Sequence, residues 1–282
     1  MVVLLVQIEM EKKVFGGCIY CSQKGAGELI NNIGSIESQV KNYLNSYRAK
    51  RANKFIVYFQ NFTNTYDSVE NLKKKYDSSL IDDRIIGISI GTRPDCITEE
   101  IAKLLSTYTN KYNVCVELGL QTVNEKIGDL INLKYNSSDF TNAVKILNKY
   151  NIDIVAHIMV GLPNETINDI KDTVNFINNH NITGIKIHST YIVKDTILAN
   201  MYKNHVYKPL DIDDYVETLI DILTHLNPNL IIHRIVGDSP KDILIAPEWN
   251  KHKLFVIHEF ERRFKARNLY QGIYYKENEI WK

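Results

Sequence analysis

The sequence predicts an α/β protein built on a parallel β-sheet, in the form of either a partial (β/α)6 barrel or an open doubly wound sheet. Short runs of β-branched and aromatic residues alternate with amphipathic stretches from about residue 35 onwards, which is the pattern of βα units. No linker-like or low-complexity segment interrupts this alternation. Polar and glycine-containing clusters follow four of the predicted strands, at the carboxyl ends where parallel sheets bind ligands.

The periodicity of the apolar residues predicts the individual elements. The predicted strands are Phe55–Phe59, Ile85–Ile90, Asn113–Leu118, Asp153–Val160, Gly184–His188 and Leu230–Arg234. The predicted helices are Ile33–Ala49, Ser68–Leu80, Thr98–Thr107, Val123–Asn132, Ser138–Tyr150, Thr166–Asn179, Ile212–Leu226 and Trp249–Arg267. Thr98 and Ser138 are each followed by acidic residues, which suits the amino-terminal end of a helix.

Composition excludes several classes of protein. The 34 basic residues almost balance the 33 acidic residues, so no strong overall charge draws the chain to nucleic acid or to an anionic membrane. The basic run at 73–75 is interpreted as a solvated helix face and that at 262–267 as a basic helix end, with contact to RNA as the alternative for either run. The apolar opening at residues 1–8 is too short to span a membrane and lacks the features of a signal peptide. We therefore predict a cytoplasmic protein with no membrane partner.

The cysteines indicate metal or redox chemistry rather than a disulfide framework. Cys18 and Cys21 stand two residues apart behind a pair of glycines, a spacing that can hold one iron or zinc ion. Half of a zinc site, a thioredoxin-like pair or two incidental thiols remain open as alternatives. However, no second CxxC completes a zinc site, and the flanking sequence lacks the compact βαβ unit of a thioredoxin motif.

Two further candidates follow the predicted strands. Glu117 ends an otherwise apolar strand, and a buried carboxylate is costly unless donors meet it, so it is either a structural acceptor or a ligand contact. The position at a strand end favours the ligand contact. Arg93 directly follows another strand, where it either reaches the ligand or pairs with Asp95 across Pro94.

The remaining candidates are side chains within strands. His157, His188 and His233 are each expected in a strand, where a single histidine is most often a core residue. Because all three histidines are expected near one edge of the sheet, at least one of them is a candidate for contact with a substrate. Cys96 and Cys115 are expected to be small buried residues.

These segments together resemble the YhcC-like radical S-adenosylmethionine (SAM) family over essentially the whole chain. The matching segments are GGCIYCSQKGAG, FIVYFQNFTNTY, IGISIGTRPDC, VELGLQT, AHIMVGLPNET, GIKIHSTYIVKDTILANMY and IHRIVGDSPKDILIAP. Three of these, TRPD, VELGLQ and HIMVGLP, are also similar to the radical SAM domain of the elongator catalytic subunit, which modifies tRNA.

The resemblance implies a partial (β/α)6 barrel that holds a [4Fe–4S] cluster and S-adenosyl-L-methionine. In such enzymes reduction cleaves SAM to methionine and a 5′-deoxyadenosyl radical, which abstracts hydrogen from a substrate. The substrate here is unknown, either a small molecule or an RNA, and the electron donor would be a protein such as flavodoxin or ferredoxin. Cys18 and Cys21 would be cluster ligands.

The other site residues are likewise carried over from the resemblance. Gln60 and Asn61 would meet the SAM amino group, and Glu117 would face the ribose hydroxyls. Gly161 would let the backbone approach the adenine. The mouth would be lined by Arg93, His157 and His188.

The chain departs from the family pattern at its amino terminus. The family's first cluster cysteine belongs to a Cys-Pro-Asn segment, and counting back places it near Val6, where no cysteine occurs. Glu9, Glu11 or Cys96 are poor substitutes, because soft thiolates suit these clusters better than oxygen ligands and Cys96 is distant in sequence. We therefore expect either an altered gene start or reading frame, or a protein that has lost its cluster.

This departure also sets the predicted domains and the alternative function. Residues 1–15 are interpreted as an aberrant segment in which the first barrel strand is missing or altered. Residues 16–240 form the radical SAM core, and residues 241–282 form a helical extension. The alternative to a radical SAM enzyme is a cluster-free binding protein with the same fold and no catalysis.

Overall fold

A computed structural model of the chain describes residues 2–6, 17–21, 34–60, 62–277 and 279–281. The chain forms two compact units. Unit 1 comprises Met1–Phe15, Gln23–Gly119 and Asp139–Ile154. Unit 2 comprises Gly16–Ser22, Leu120–Ser138 and Val155–Lys282.

The described strands and helices alternate along the chain. The strands are β1 (Val2–Val6), β2 (Phe55–Phe59), β3 (Ile85–Thr92), β4 (Asn113–Gln121), β5 (Asp153–Val160), β6 (Gly184–Ser189), β7 (Ile192–Val193), β8 (Ile231–Arg234) and β9 (Leu244–Ala246). The helices are α1 (Ile36–Leu44), α2 (Val69–Asp77), α3 (Glu99–Ser106), α4 (Glu125–Leu130), α5 (Ser137–Lys149), α6 (Ile167–Asn178), α7 (Ile197–Lys203), α8 (Ile212–His225) and α9 (Lys253–Ala266).

The strands of each unit pair mainly in parallel. In unit 1, β1, β2, β3 and β4 follow one another in that order, and Gly91 of β3 lies opposite Glu117 of β4. In unit 2, β5, β6 and β8 pair in parallel, and β7 and β9 form a separate antiparallel pair. Parallel pairing aligns the carboxyl ends of the strands within each unit, which is where the polar clusters of the sequence occur.

Buried β-branched and aromatic residues stabilise both units. In unit 1 the ring of Phe59 meets that of Tyr76 edge-on, with 5.4 Å between centroids, and both side chains are fully buried. In unit 2 Ile185 and Ile187 of β6 are fully buried, whereas Lys186 between them points to the opposite face. One face of β6 is therefore apolar and the other is polar.

Side-chain caps fix the beginnings of several helices. The Thr98 hydroxyl accepts a hydrogen bond from the Ile101 amide at the start of α3, as the sequence predicted. Thr166 and Asp169 form a complete capping box at the start of α6. At α5 the prediction was wrong, because Asn136 rather than Ser138 accepts the bond from the first turn.

The six predicted strands are all present, with ends shifted by at most a few residues. The apolar segment at residues 2–6 also forms a strand that pairs in parallel with β2. A first strand is therefore present in the sheet of unit 1. The sequence did not predict β7, β9 and α7, because two- and three-residue strands and a seven-residue helix carry too little periodicity.

No helix among the described residues has the length and apolar content needed to cross a membrane.

Candidate cofactor and substrate site

The loop Gly17–Cys21 in unit 2 presents both candidate metal-ligating thiols on a tight turn. The Cys21 amide donates to the Cys18 carbonyl at 3.0 Å, which closes the turn. Gly17 adopts a φ of 56°, a left-handed conformation that glycine tolerates, and its carbonyl accepts from the Asn132 amide group at 2.6 Å. The Asn132 side chain, which lies outside the loop in sequence, therefore helps to hold the loop backbone in place.

Ile19 anchors the same loop in the apolar core of unit 2. Its amide donates to the Ile131 carbonyl at 3.2 Å, and its carbonyl accepts from the Leu198 amide at 3.0 Å. Its side chain is 5% exposed and packs in a cluster with those two residues. Because Ile19 points inward, Cys18 is left half-buried and Cys21 exposed, as metal ligands at a surface loop would be.

Tyr20 lies between the two thiols in sequence and responds to them electrostatically. Burial raises the pKa of its hydroxyl well above 10, and the Cys18 and Cys21 thiols raise this pKa further. Negative charge on the thiols disfavours a phenolate, so Tyr20 stays neutral. A neutral phenol beside them can donate a hydrogen bond.

The two thiols are the type of ligand that an iron–sulfur cluster prefers. Two are fewer than such a cluster requires. Thiolates are the ligands such clusters prefer, and Cys18 and Cys21 supply two. Among the described residues no group of three His, Cys, Asp or Glu side chains could hold a metal ion. The other cysteines of the chain, Cys96 and Cys115, belong to unit 1. Among the described residues, Cys18 and Cys21 therefore offer two thiols on one short loop.

In unit 1, Gly91 of β3 lies between two predicted site residues. The Gln60 backbone lies on the β2 side of Gly91, and Glu117 lies on the β4 side. Glu117 is 5% exposed, accepts a hydrogen bond from the Ser89 hydroxyl at 2.7 Å, and lies opposite Gly91 in the sheet. A Cβ atom at Gly91 would lie 3.2 Å from the Phe59 carbonyl oxygen and 3.5 Å from that of Gln60. Glycine here permits the chain after β2 to approach β3 closely. Asn61, the other predicted residue of this segment, lies outside the described residues.

Two residues that sequence reasoning missed hold the segment after β2 in place. The buried Asn64 side chain donates to the Phe59 carbonyl at 2.9 Å and to the Gly91 carbonyl at 2.8 Å. The Thr65 hydroxyl contacts the Thr92 hydroxyl at 2.6 Å and donates to the Cys96 carbonyl at 2.9 Å. The run of polar residues after a strand was the signal available in the sequence.

Arg93 forms an ion pair with Asp95. The sequence analysis gave this pair as the structural alternative to a ligand contact. Its guanidinium makes two parallel hydrogen bonds of 2.9 Å to the Asp95 carboxylate. The pair lies directly after β3, at the same end of the strand as Gln60 and Gly91. Asp95 thus fixes the orientation of the guanidinium at the carboxyl end of the unit 1 sheet.

In unit 2 a buried carboxylate holds the turn at Gly161. Gly161 has a φ of 85°, and its amide donates to Glu165 Oε2 at 2.7 Å, while the Leu162 amide donates to the same oxygen at 3.2 Å. The Tyr207 hydroxyl donates to the Gly161 carbonyl at 2.6 Å. Burial raises the pKa of Glu165 to about 8, although the two amide bonds act in the opposite direction. Neither Glu165 nor Tyr207 was predicted as a site residue from the sequence.

The structure also brings together two of the three strand histidines. The rings of His157 on β5 and His188 on β6 lie 5.2 Å apart between centroids, and both side chains are half-buried. A Cβ atom at Gly237 would lie 3.1 Å from His188 Nδ1, so the chain after β8 passes against this imidazole. His233 lies on β8 with its ring over Gly184, where a Cβ atom would be 2.7 Å from the ring.

The basic runs of the sequence take part in ion pairs on helix surfaces. Lys73 and Lys74 of α2 each pair with an acidic residue one turn away. Arg263 of α9 contacts Asp213 and Glu217 of α8, and Arg267 contacts Glu217 at 2.6 Å. The interpretation of these runs as surface features is consistent with this pairing.

Comparison with known proteins identifies relatives along most of the chain. Residues 15–177 match the family model described as the radical SAM superfamily, and residues 182–266 match that of the radical SAM C-terminal domain. The uncharacterized protein YtqA of Bacillus subtilis is 35% identical over 266 residues, which cover 94% of this chain and 83% of YtqA. The protein YhcC of Escherichia coli is 29% identical over 248 residues, covering 88% of this chain and 80% of YhcC.

The fold is similar to that of solved structures. The archaeal Elp3 of Methanocaldococcus infernus, solved with an amino-terminal deletion, superposes with a TM-score of 0.74 at 16% identity. The match covers 100% of this chain and 68% of that one. The predicted α/β fold, a partial (β/α)6 barrel, is confirmed.

Proposed function

This chain belongs to the radical SAM superfamily, and on that premise we propose that it is an enzyme that cleaves S-adenosyl-L-methionine with the help of a [4Fe–4S] cluster. The observation that carries the proposal is the turn Gly17–Cys21, which presents two thiols from a backbone anchored in the core. A pair of incidental thiols would need neither the anchor at Ile19 nor the bond from Asn132 to Gly17.

Cys18 and Cys21 would hold the cluster, and a third ligand would come from outside this pair. When bound, the cluster and SAM supply one-electron chemistry that no amino-acid side chain provides. The turn keeps both sulfur atoms on one short loop, and the neutral Tyr20 hydroxyl beside them would donate to a thiolate.

Other residues of the chain would bind and orient SAM. Glu117, held by the Ser89 hydroxyl, would accept hydrogen bonds from ribose hydroxyls. Gln60 and Asn61 would meet the amino group with their amide oxygens. The Gly161 turn, braced by Glu165 and Tyr207, would lie against the adenine.

We propose substrate contacts for Arg93 in unit 1 and for His157 and His188 in unit 2, because all three side chains carry hydrogen-bond donors. The electron would come from a small cytoplasmic protein such as flavodoxin or ferredoxin. An RNA substrate finds little support in the basic runs, because Arg263 and Arg267 already contact carboxylates of α8.

Anaerobic reconstitution with iron and sulfide tests the proposal. We expect a brown protein with a reducible cluster by absorbance and electron paramagnetic resonance. Addition of SAM and dithionite is expected to release 5′-deoxyadenosine. A folded, colourless product that leaves SAM intact would contradict catalysis and favour the cluster-free binding protein.

Matched cysteine variants test the assignment of the ligands. Cys18→Ala is expected to abolish the cluster, because a single remaining thiolate on the turn cannot retain it. Cys115→Ala, half-buried on β4, is expected to leave the iron content unchanged. Iron content and absorbance measure both, and equal loss of iron in the two variants would show that the assignment is wrong.

A further inference from the structure

The segment between α1 and β2 concentrates basic side chains on the surface of unit 1. Residues 47–51, of sequence YRAKR, form a short 3-10 helix, and β2 follows from Phe55. Residues 38–66 contain no aspartate or glutamate. The exposed residues between α1 and β2 that carry a positive charge or an aromatic ring are called the basic patch, namely Tyr47, Arg48, Lys50, Arg51 and Lys54.

The geometry of the 3-10 helix directs these side chains outward. Such a helix has three residues per turn, so residues three positions apart share an edge. One edge is turned inward, because Ala49 is only 3% exposed. A second edge carries Tyr47 with Lys50. The third carries Arg48 with Arg51, and these four residues are all exposed.

The cations of the basic patch have no carboxylate partner. None of the four forms an ion pair with a residue in the described part of the chain. The guanidinium of Arg51 lies over the Tyr47 ring, 5.5 Å from its centroid, a contact that does not neutralise the charge. On α2 of the same unit, by contrast, Lys73 and Lys74 each pair with an acidic residue one turn away. The patch is therefore a local excess of positive charge on a chain whose net charge is only +1.

Tyr47 adds an aromatic surface to this charge. It is 71% exposed, the largest exposure of any large hydrophobic side chain among the described residues. Stacking of a flat partner on the ring would remove apolar area from water. Nucleobases stack on aromatic rings in this way, and the phosphates that flank a stacked base attract lysine and arginine. The combination of an exposed ring with neighbouring cations therefore matches single-stranded nucleic acid.

We propose that the basic patch binds a single-stranded segment of nucleic acid. Tyr47 stacks on a base, and the four cations contact the flanking phosphates. Positive charge alone would fit an acidic protein equally well, so the exposed ring among the cations is the observation that favours nucleic acid. The patch lies in unit 1 and contains no residue of the Gly17–Cys21 turn, so this inference goes beyond the proposed SAM cleavage and does not depend on it.

Fluorescence anisotropy with a short labelled oligouridylate tests the proposal on the full chain. The variants Arg48→Gln and Lys50→Gln each remove one cation from the patch, whereas Arg48→Lys keeps the charge. The matched control is Lys73→Gln, which removes the same charge from α2 of the same unit, where the lysine side chain is 58% exposed.

We expect Arg48→Gln and Lys50→Gln each to weaken binding of the oligonucleotide about threefold or more at low salt, and to lessen the dependence of the affinity on salt. The wild-type chain, Arg48→Lys and Lys73→Gln are expected to bind equally well. Equal affinity of all four variants would place the oligonucleotide elsewhere on the chain and overturn the proposal, as would a wild-type chain that does not bind it.

Variants of Tyr47 separate recognition of nucleic acid from recognition of any polyanion. Tyr47→Ala is expected to weaken binding about tenfold, whereas Tyr47→Phe keeps the ring and is expected to bind as the wild type does. Because this side chain is exposed, both variants are expected to melt at the wild-type temperature. Undiminished binding by Tyr47→Ala, or displacement of the oligonucleotide by poly-glutamate at equal charge, would overturn the proposal and indicate an acidic protein as the partner. These measurements need no cluster, so their outcome is independent of the proposed SAM cleavage.

Discussion

Two charged regions of unit 2 differ in where their charged side chains lie and in how exposed they are. On the α8–α9 surface, Arg263 and Arg267 contact Asp213 and Glu217, so each cation meets a carboxylate in partly exposed positions. On the sheet face, Lys186 instead lies opposite Arg234, with His157 on its other side. The first arrangement consists of ion pairs that stabilise the fold modestly, whereas the second places basic side chains next to one another on a sheet face where Lys186 is only 9% exposed.

The two regions also differ in how strongly water screens their charges. Ion pairs between exposed helices can be lost with little consequence, because water solvates the separated charges. A buried ionisable group is costly in its charged form unless partners compensate it. Glu165 is such a buried group, and its carboxyl oxygen accepts hydrogen bonds from the backbone amides of Gly161 and Leu162.

Of the changes considered, Glu165→Gln is expected to have the largest effect, on the pH dependence of the free energy of unfolding. Its pKa is raised from 4.5 to about 8 by burial, so the folded chain binds its proton more tightly than the unfolded chain does. The free energy of unfolding should therefore fall as the pH rises from about 5 to about 8. Glu165→Gln cannot ionise and should remove this part of the slope, as measured by urea unfolding across that range. Parallel profiles for the two proteins would contradict the assignment.

A smaller effect is expected from Arg263→Ala on the helix surface. The Arg263 side chain is 18% exposed and contacts carboxylates on both α8 and α9, so its loss should lower the free energy of unfolding by about 1 kcal/mol. Urea unfolding measures this, with Arg262→Ala, whose side chain is 64% exposed, as the weaker control. A loss of stability in Arg263→Ala no larger than that in Arg262→Ala would contradict the assignment of these ion pairs.

The smallest effect is expected from Arg267→Ala. This side chain is half-exposed and shares Glu217 with Arg263, so its removal leaves the carboxylate with a partner. The loss of stability should be below that of Arg263→Ala and should disappear at about 1 M NaCl, where charges on the surface are screened. Thermal unfolding at low and high salt measures it, and an effect that is insensitive to salt would exclude a surface ion pair.

Much of the fold could be predicted from the sequence because the main strands are long enough to show their apolar pattern. The predicted bounds Phe55–Phe59 and Asp153–Val160 coincide with β2 and β5. The two-residue strand β7 was missed because it gains its stability from pairing with β9, some fifty residues later in the chain. The amino-terminal strand was predicted to be missing or altered, whereas residues 2–6 pair in parallel with β2 through their backbone, which does not require particular side chains.

The candidate site was predicted in part. Cys18, Glu117 and Gly161 could be singled out because thiols, a carboxylate in an apolar run and a glycine after a strand are each unusual where they occur. Asn64 and Glu165 were missed, because their importance lies in bonds to backbone atoms of Gly91 and Gly161. Such bonds leave no periodic or compositional signal. The roles of the predicted residues toward SAM stay predictions.

By itself the sequence determined the α/β class, the family and the two thiols of the turn, since these depend on residue types and on spacings within short segments. Only the tertiary structure decided that Arg93 is held by Asp95 and that His157 meets His188. It alone placed Arg234 opposite Lys186. The physical reason is that a one-residue change in strand register alters which side chains face each other while the sequence of each strand stays the same.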